Sequence, residues 1–378
     1  MSDILLTQEQ QELRDMFREF VHKEIIPVAA EYDEKGEFPR EVFRKAVDMG
    51  LTTLGLPEAY GGSGEGALTG SILSEELGYG DAGFAASVGA CNLASIPVMM
   101  HGSESQKKLV ADILVKGGMA AYCLTEAAAG SDAGSLRTTA VKDGNDWIIN
   151  GVKTFITNGG LADIYTVFAT TDPSLRSKGV GAFLVPRHTP GVSVGKEENK
   201  MGIRLSNTTE VIFENVRIPG ENLIGEIGKG MKIALGTLNR TRAQGSAAAV
   251  GIAQRALDES VKYAKTRVTF GKPICKHQAI SFMIADMDIQ TEAARQLVRH
   301  ACRMVDQGII DARQGSIAKT FAGDTAVKCA LDAIQVLGGF GYSREYPVEK
   351  LLRDAKIYQI FEGTNQIQRM TVAGHLFA

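Results

Sequence analysis

The hydrophobic pattern of this chain changes period twice, so one uniform architecture cannot accommodate the whole sequence. From Thr7 to about Lys116 apolar residues recur at helical spacing. From about Gly117 to Gly225 they fall in short alternating runs, and from about Gly228 onward long helical stretches return. At 378 residues the chain also exceeds one small core. We expect a multi-domain α+β protein: an N-terminal helical domain (1–117), a middle β-barrel or sandwich domain (118–226) and a C-terminal four-helix bundle (227–378).

Local chemistry fills in this outline. Thr7-Gln8-Glu9-Gln10 forms a capping box, and Leu13, Met16, Phe17, Phe20 and Val21 make one apolar stripe behind it. Pro27 stops a straight reading of that stretch as one helix. Further helices are expected around 40–50, 67–79, 85–100 and 104–116, with a turn cluster at Pro57–Gly64. Trp147–Thr157 reads as two strands around an Asn150-Gly151 turn, followed by short strands at 165–170, 179–185, 192–196 and 209–216. Ala243–Arg267, His277–Gln307 and Asp311–Leu337 read as long helices joined by short loops, the pattern of an antiparallel bundle.

Composition excludes several function classes. The formal net charge is −3 and no long basic run occurs, which argues against nucleic acid or a strongly anionic membrane as partner. Five scattered cysteines without CxxC pairs point to free thiols in a reducing compartment, packed as small buried residues. The histidines do not pair at metal-ligand spacing, so no metal site is expected. The polar N-terminus carries no targeting segment, and no apolar run is read as long enough to span a bilayer, which together point to the cytoplasm.

Against this background Ile357–Arg369 carries the most chemistry. Glu362 sits among apolar side chains directly before Gly363, with Thr364 and Gln366 beside it. Apolar surroundings raise a carboxylate's pKa toward the range where a general base works best; the competing reading is a surface glutamate near a helix N-cap. Other clusters combine polar groups with glycine. Thr125-Glu126 runs into Gly130-Ser131-Asp132, suited to a polar ring edge or phosphate, or simply a loop opening the β domain. Phe155 and Thr157 share a strand face, where an aromatic can lie on a flat cofactor or belong to the core. Arg267-Val268-Thr269-Phe270-Gly271 ends a helix with a cation and a hydroxyl, suited to a pyrophosphate or to the helix dipole. The Gly-rich Gln335–Tyr342 follows a helix, so it is no Rossmann fingerprint, and neither a Walker A sequence nor a GxSxG elbow occurs.

Taken in order, these clusters resemble the acyl-CoA dehydrogenase family over essentially the whole chain, closest in motifs to its short- and medium-chain members. TEAAAGSD (125–132), ITNGG (156–160), MGIRLSNTTEVIFENVRIP (201–219), RVTFGKPICKHQ (267–278), QVLGGFGYSREYPVEKLLRDAK (335–356) and IFEGTNQIQ (360–368) carry the resemblance. It implies Glu362 as catalytic base. Some relatives carry the base at the position of Thr241, and a threonine cannot serve. It implies FAD as cofactor, with Thr125, Ser131, Phe155, Thr157, Thr364 and Gln366 at the flavin. Arg267, Thr269, Phe270, His277, Gln278, Gln335 and Gly339 would bind the adenine-dinucleotide part across a subunit interface. Ser131, Ser177, Asn239, Arg242, Phe361 and Gly363 would touch the acyl-CoA.

The sequence departs from many relatives at Ala127 (proline), Phe155 (tryptophan), Phe361 (tyrosine) and Asn239 (aspartate). Phe155 keeps an aromatic face, Phe361 makes the site drier, and Asn239 removes a charge near the expected CoA contact. The resemblance further implies α,β-dehydrogenation of an acyl-CoA to a trans-2-enoyl-CoA, with hydride passing to flavin N5 and electrons to an electron-transfer flavoprotein. In that scheme the thioester oxygen is held by the backbone N–H of the base residue and a ribityl hydroxyl, and Thr157 lies near N5. An enoyl-CoA reductase of the same fold is the alternative enzyme. A non-catalytic binding protein is the alternative of another class, and it leaves Glu362 unexplained. A homotetramer, a dimer of dimers through the C-terminal bundle, is expected.

Overall fold

The computed structural model describes residues 5–377. Residues 1–4 of the polar N-terminus, where no targeting segment is expected, lie outside these. The N-terminal part holds α1 (Gln8–Phe20), α2 (Ile26–Lys35), α3 (Arg40–Asp48), α4 (Ala67–Gly80), α5 (Ala82–His101) and α6 (Glu104–Val115). The Thr7 capping box is present, with both reciprocal bonds made. The stretch around Pro27 is not one straight α-helix, since α1 ends at Phe20. A π-helical turn at Val21–Ile25 leads into α2, and the proline sits in its first turn, where no intrahelical N–H is required.

The middle part holds β1 (Ala120–Cys123), β2 (Thr139–Asp143), β3 (Asp146–Thr157), β4 (Ile164–Thr170), β5 (Val180–Pro186), β6 (Val192–Glu197), β7 (Thr208–Pro219) and β8 (Leu223–Ile224). They form one sheet in the order β6-β7-β3-β2-β4-β5-β8, with β1 parallel to β4. Trp147 of β3 meets Phe183 of β5 at 5.4 Å between rings, and Tyr165 of β4 meets Phe213 of β7 at 6.4 Å. Strands that are not neighbours thus share one core, so the sheet curls around its apolar face.

Asn150-Gly151 is not a turn. β3 runs through it against β7 with a bulge between Ile149 and Gly151, because a side chain at Gly151 would strike Thr138 (2.5 Å to Oγ1) while Asn150 Oδ1 accepts from Asn215 N. The hairpin turn lies earlier, at Gly144, between β2 and β3.

The C-terminal part holds α7 (Gly230–Thr266), a short hairpin of β9 (Val268–Thr269) and β10 (Lys272–Pro273), α8 (Gln278–Asp306), α9 (Ala312–Leu337), α10 (Val348–Ala355) and α11 (Asn365–Leu376). The small residues of α7 serve packing within the chain. A side chain at Gly251 would meet Glu75 O at 2.0 Å, and one at Gly78 would meet Ala248 O at 2.3 Å, so α4 and α7 approach backbone to backbone. α5 corrects one expectation: by length and composition it is apolar enough to cross a membrane. In the fold it packs against β1 and α7, with Ser87 and Ser95 buried along it.

One buried ionic cluster ties the three parts together. Lys350 of α10 donates to Asp81 and Asp354, both at 2.5 Å. Asp81 also caps α5 through Phe84 N (2.7 Å), and Asp354 accepts from Ile203 N of the loop before β7 (2.6 Å). Beside it Arg353 grips Asp33 of α2 and Glu349. Lys350→Met leaves two buried carboxylates facing each other without a cation. It is expected to cost about 3–5 kcal/mol, read as a lower midpoint in urea denaturation.

Candidate active site

Glu362 lies in the loop between α10 and α11 with φ at 54°, a left-handed conformation that non-glycine residues rarely hold. Gly363 follows at φ 90°, and Thr364 caps α11 by accepting from Ile367 N at 3.2 Å. This turn aims the Glu362 carboxylate at α7, where Gly245 makes room for it. A Cβ at Gly245 would stand 3.1 and 3.2 Å from its two oxygens. The Glu362 N–H meets no acceptor among the described residues and is free to bind a ligand oxygen.

Burial raises the Glu362 pKa above the usual carboxylate range, while Arg242 and then Lys319 pull it back down. Tyr358 and Phe361, edge to face at 4.9 Å, and Tyr122, whose hydroxyl donates to Ala234 O, supply the surrounding wall. Arg242 is buried; its Nη1 donates to Asn239 Oδ1 at 2.7 Å and its Nε has no partner among the described residues.

Glu362 opens on a cavity of about 300 Å³, which also gathers Thr125, Ser131, Phe155, Thr157, Arg242, Phe361 and Gly363. Phe155 has φ at 55° inside a second bulge of β3, which turns its ring outward, leaving it 64% exposed at the cavity wall. The loop bearing Thr125 is held rigidly. Thr125 O accepts from Thr154 N at 2.9 Å, and buried Lys153 donates to Leu124 O and Glu126. Glu126 in turn accepts from Arg137 N and Thr138 N. An exposed aromatic face ringed by three hydroxyls fits a flat ring with polar edges.

The other expected site residues fall elsewhere. Ser177 is exposed near Gly134, outside the cavity wall. Asn239 stands behind Arg242, Thr364 is occupied in capping, and Gln366 is exposed. Arg267, Thr269, Phe270, His277 and Gly339 line a separate open hollow at the far end of α7, with Gln278 and Gln335 exposed and outside its lining. There Arg267 lies over Phe340 (5.9 Å), His277 Nε2 is 3.3 Å from Thr269 Oγ1, and Phe270 is 96% exposed. From Gly245 to Arg267 is about 33 Å along the helix axis. Within one chain the two groups therefore do not converge.

Gly245, Lys319, Ser316 and Gln368 were not anticipated from the sequence. The one available sign was Lys319 itself, a cation set among the alanines of α9.

Three family domains match in order: "Acyl-CoA dehydrogenase, N-terminal domain" over residues 7–118, the middle domain over 121–216 and the C-terminal domain over 228–377. The acyl-CoA dehydrogenase of Bacillus subtilis (strain 168) is 45% identical over 377 residues, 98% of either chain. The butyryl-CoA dehydrogenase of Megasphaera elsdenii superposes with a TM-score of 0.97 at 44% identity, covering 100% of both chains. A chain solved in work on the electron transferring flavoprotein of Acidaminococcus fermentans superposes at 0.97 with 42% identity, over 99% of both.

Gly245→Ala separates site geometry from stability. An alanine suits the helix better by about 0.5–1 kcal/mol, yet its methyl presses on the Glu362 carboxylate. We expect an unchanged or higher Tm together with a roughly tenfold or greater loss of turnover, since small misplacements of a catalytic group are costly.

Proposed function

The chain belongs to the acyl-CoA dehydrogenase family, and on that premise we propose that it removes the α and β hydrogens of a short-chain acyl-CoA, using Glu362 as base and FAD as hydride acceptor. The observation that carries this reading is the Glu362 carboxylate, seated on Gly245 with a raised pKa and facing a cavity whose wall holds Phe155, Thr125, Ser131 and Thr157. A bound flavin supplies the electron sink. Phe155 offers it a face, and the hydroxyls of Thr125, Ser131 and Thr157 offer its polar edges hydrogen bonds.

The protein's own residues account for the proton. Glu362, as carboxylate, takes the α proton. Its free N–H polarises the thioester oxygen, so negative charge developing there meets a fixed donor. Tyr122, Tyr358 and Phe361 keep water away from the base. Arg242 sets a positive charge near the acyl group. Electrons then leave to an electron-transfer flavoprotein, a reading supported by the likeness to the Acidaminococcus chain.

A short acyl chain is read from the polar part of the cavity lining. Ser74, Asn92 and Gln244 belong to that lining and to the adjoining cavity beside Leu73 and Leu77. A long apolar chain would press methylenes against these polar groups at a desolvation cost, which favours a short acyl group, in line with the likeness to a butyryl-CoA dehydrogenase.

The working assembly is a homotetramer built as a dimer of dimers, in a reducing, cytoplasmic setting that suits the free thiols. Large apolar side chains stand exposed on the bundle, among them Phe282, Ile289, Phe321, Leu331 and Met370. The Arg267 hollow lies too far from Glu362 to hold the same dinucleotide within one protomer, so a neighbouring chain would complete each flavin site.

Three outcomes test these points. With an artificial electron acceptor, kcat/KM should be highest for four- or six-carbon acyl-CoAs; a maximum at long chains would discard the short-chain reading. Flavin reduction should slow as pH falls through an acid limb lying above the ordinary glutamate value of about 4.3, because the raised pKa of Glu362 leaves less carboxylate at low pH. Arg267→Ala should lose flavin and assembly together, at a cost of about 1.5–3 kcal/mol for a charge-assisted contact, seen by sizing chromatography at flavin wavelengths.

A further inference from the structure

Behind the loop that carries Glu362, α9 and α11 are joined by two parallel rungs. Lys319 Nζ donates to Asn365 Oδ1 at 2.7 Å, and Ser316 Oγ donates to Gln368 Oε1 at 2.7 Å. Both rungs pair residues three apart on each helix, so they stack on one face. Gln368 Nε2 then reaches back to Gly363 O (3.0 Å) and Glu362 O (3.3 Å), holding the left-handed turn from its carbonyl side. Asn365 is fixed in turn by donating to Asp324 Oδ1 (2.8 Å) and Thr320 O (3.3 Å).

Lys319 is an unusual choice for a purely structural rung. It is 2% exposed and forms no ion pair among the described residues, which is a costly way to bury an ammonium. Its neighbours one turn away on the same helix face are small, Gly315, Ser316, Ala322 and Gly323, and none carries a charge. The charges that face it are Glu362, Arg242 from α7, Asp324 on its own helix and Arg369 from α11. Arg369 and Asp324 pair with each other at 2.6 Å and largely cancel. That leaves Lys319 and Arg242 as the two cations balancing one carboxylate, Glu362.

We propose that Lys319 is a positioning residue for the base: its ammonium holds Glu362 ionised inside an apolar wall, and its rung to Asn365, with the Ser316–Gln368 rung, fixes the turn that carries Glu362. This rests on Glu362 being the base. Charge and clamp are separable contributions. Removing the ammonium strips a stabilising cation from the carboxylate, so Glu362 stays protonated to higher pH. Removing only the Ser316 rung loosens the turn and leaves the charge in place. Burial lowers the pKa of Lys319 itself to about 8, so the cation is present through the neutral range.

The test uses the flavin-loaded protein with Lys319→Met, Lys319→Gln, Lys319→Arg and Ser316→Ala. Infrared difference titration follows the protonated-carboxyl band of Glu362, identified by its loss in Glu362→Gln. Stopped-flow bleaching by a saturated acyl-CoA gives the reduction rate against pH. For Lys319→Met, the carboxyl band should persist to higher pH, the acid limb should move the same way, and reduction at pH 6.5 should fall at least tenfold. Lys319→Gln, which keeps a donor for Asn365, should show the same displacement, so the test stands even if the methionine variant does not fold. Lys319→Arg should restore the limb, and Ser316→Ala should lower the rate without moving it. A carboxyl band and limb unmoved in both neutral variants would overturn the proposal, even if Tm changed. Because the band reports the charge on Glu362 whatever its role, a Glu362→Gln variant that still bleached would remove the base reading instead.

Discussion

The arrangement depends on a lysine buried where three parts of the chain meet. Lys350 stands between Asp81, which starts α5, and Asp354, which receives Ile203 from the loop before the last long strand. Burial pushes the Asp354 carboxyl up while Lys350 pulls it back down, so the cluster sets charge against charge in a place where charge is expensive. It fixes α5, α10 and the β domain relative to one another. The cavity is built from those same parts: α5 gives one wall, the β domain gives Phe155 and Thr157, and the loop following α10 gives Glu362. Misplacing any one of them would open the site to water.

Within that frame the site works by contrast. Apolar side chains and burial make Glu362 reluctant to ionise, and two buried cations make it willing. Gly245 allows the carboxylate to sit directly on α7, and the Glu362 N–H, on a left-handed backbone, has no acceptor among the described residues. Strained backbone recurs at Phe155, which a bulge turns toward the cavity. Such conformations persist because the surrounding packing over-determines them.

The order of helices and strands was legible because the apolar period is set by which face is buried, and the resemblance carried that order to a family. Local signals failed where tertiary contacts overruled them. Pro27 found its place in the first turn of α2, Asn150-Gly151 became a bulge because β7 continues alongside it, and α5 is apolar because it is a core helix. At the site, Glu362, Phe155 and Thr157 carried readable chemistry. Gly245 did not, and Lys319 showed only as a cation among the alanines of α9, since each acts through a neighbour brought close only by folding; Thr364 is engaged in capping its own helix.

The central claim is that Glu362 is the proton-abstracting base. Anaerobic mixing of the flavin-loaded Glu362→Gln variant with a short saturated acyl-CoA tests it most directly. The variant should bind the ligand, seen as a perturbed flavin spectrum, while bleaching slows by about 10²–10⁴-fold or more, as expected when a positioned base is removed. Bleaching at close to the unsubstituted rate would contradict the account.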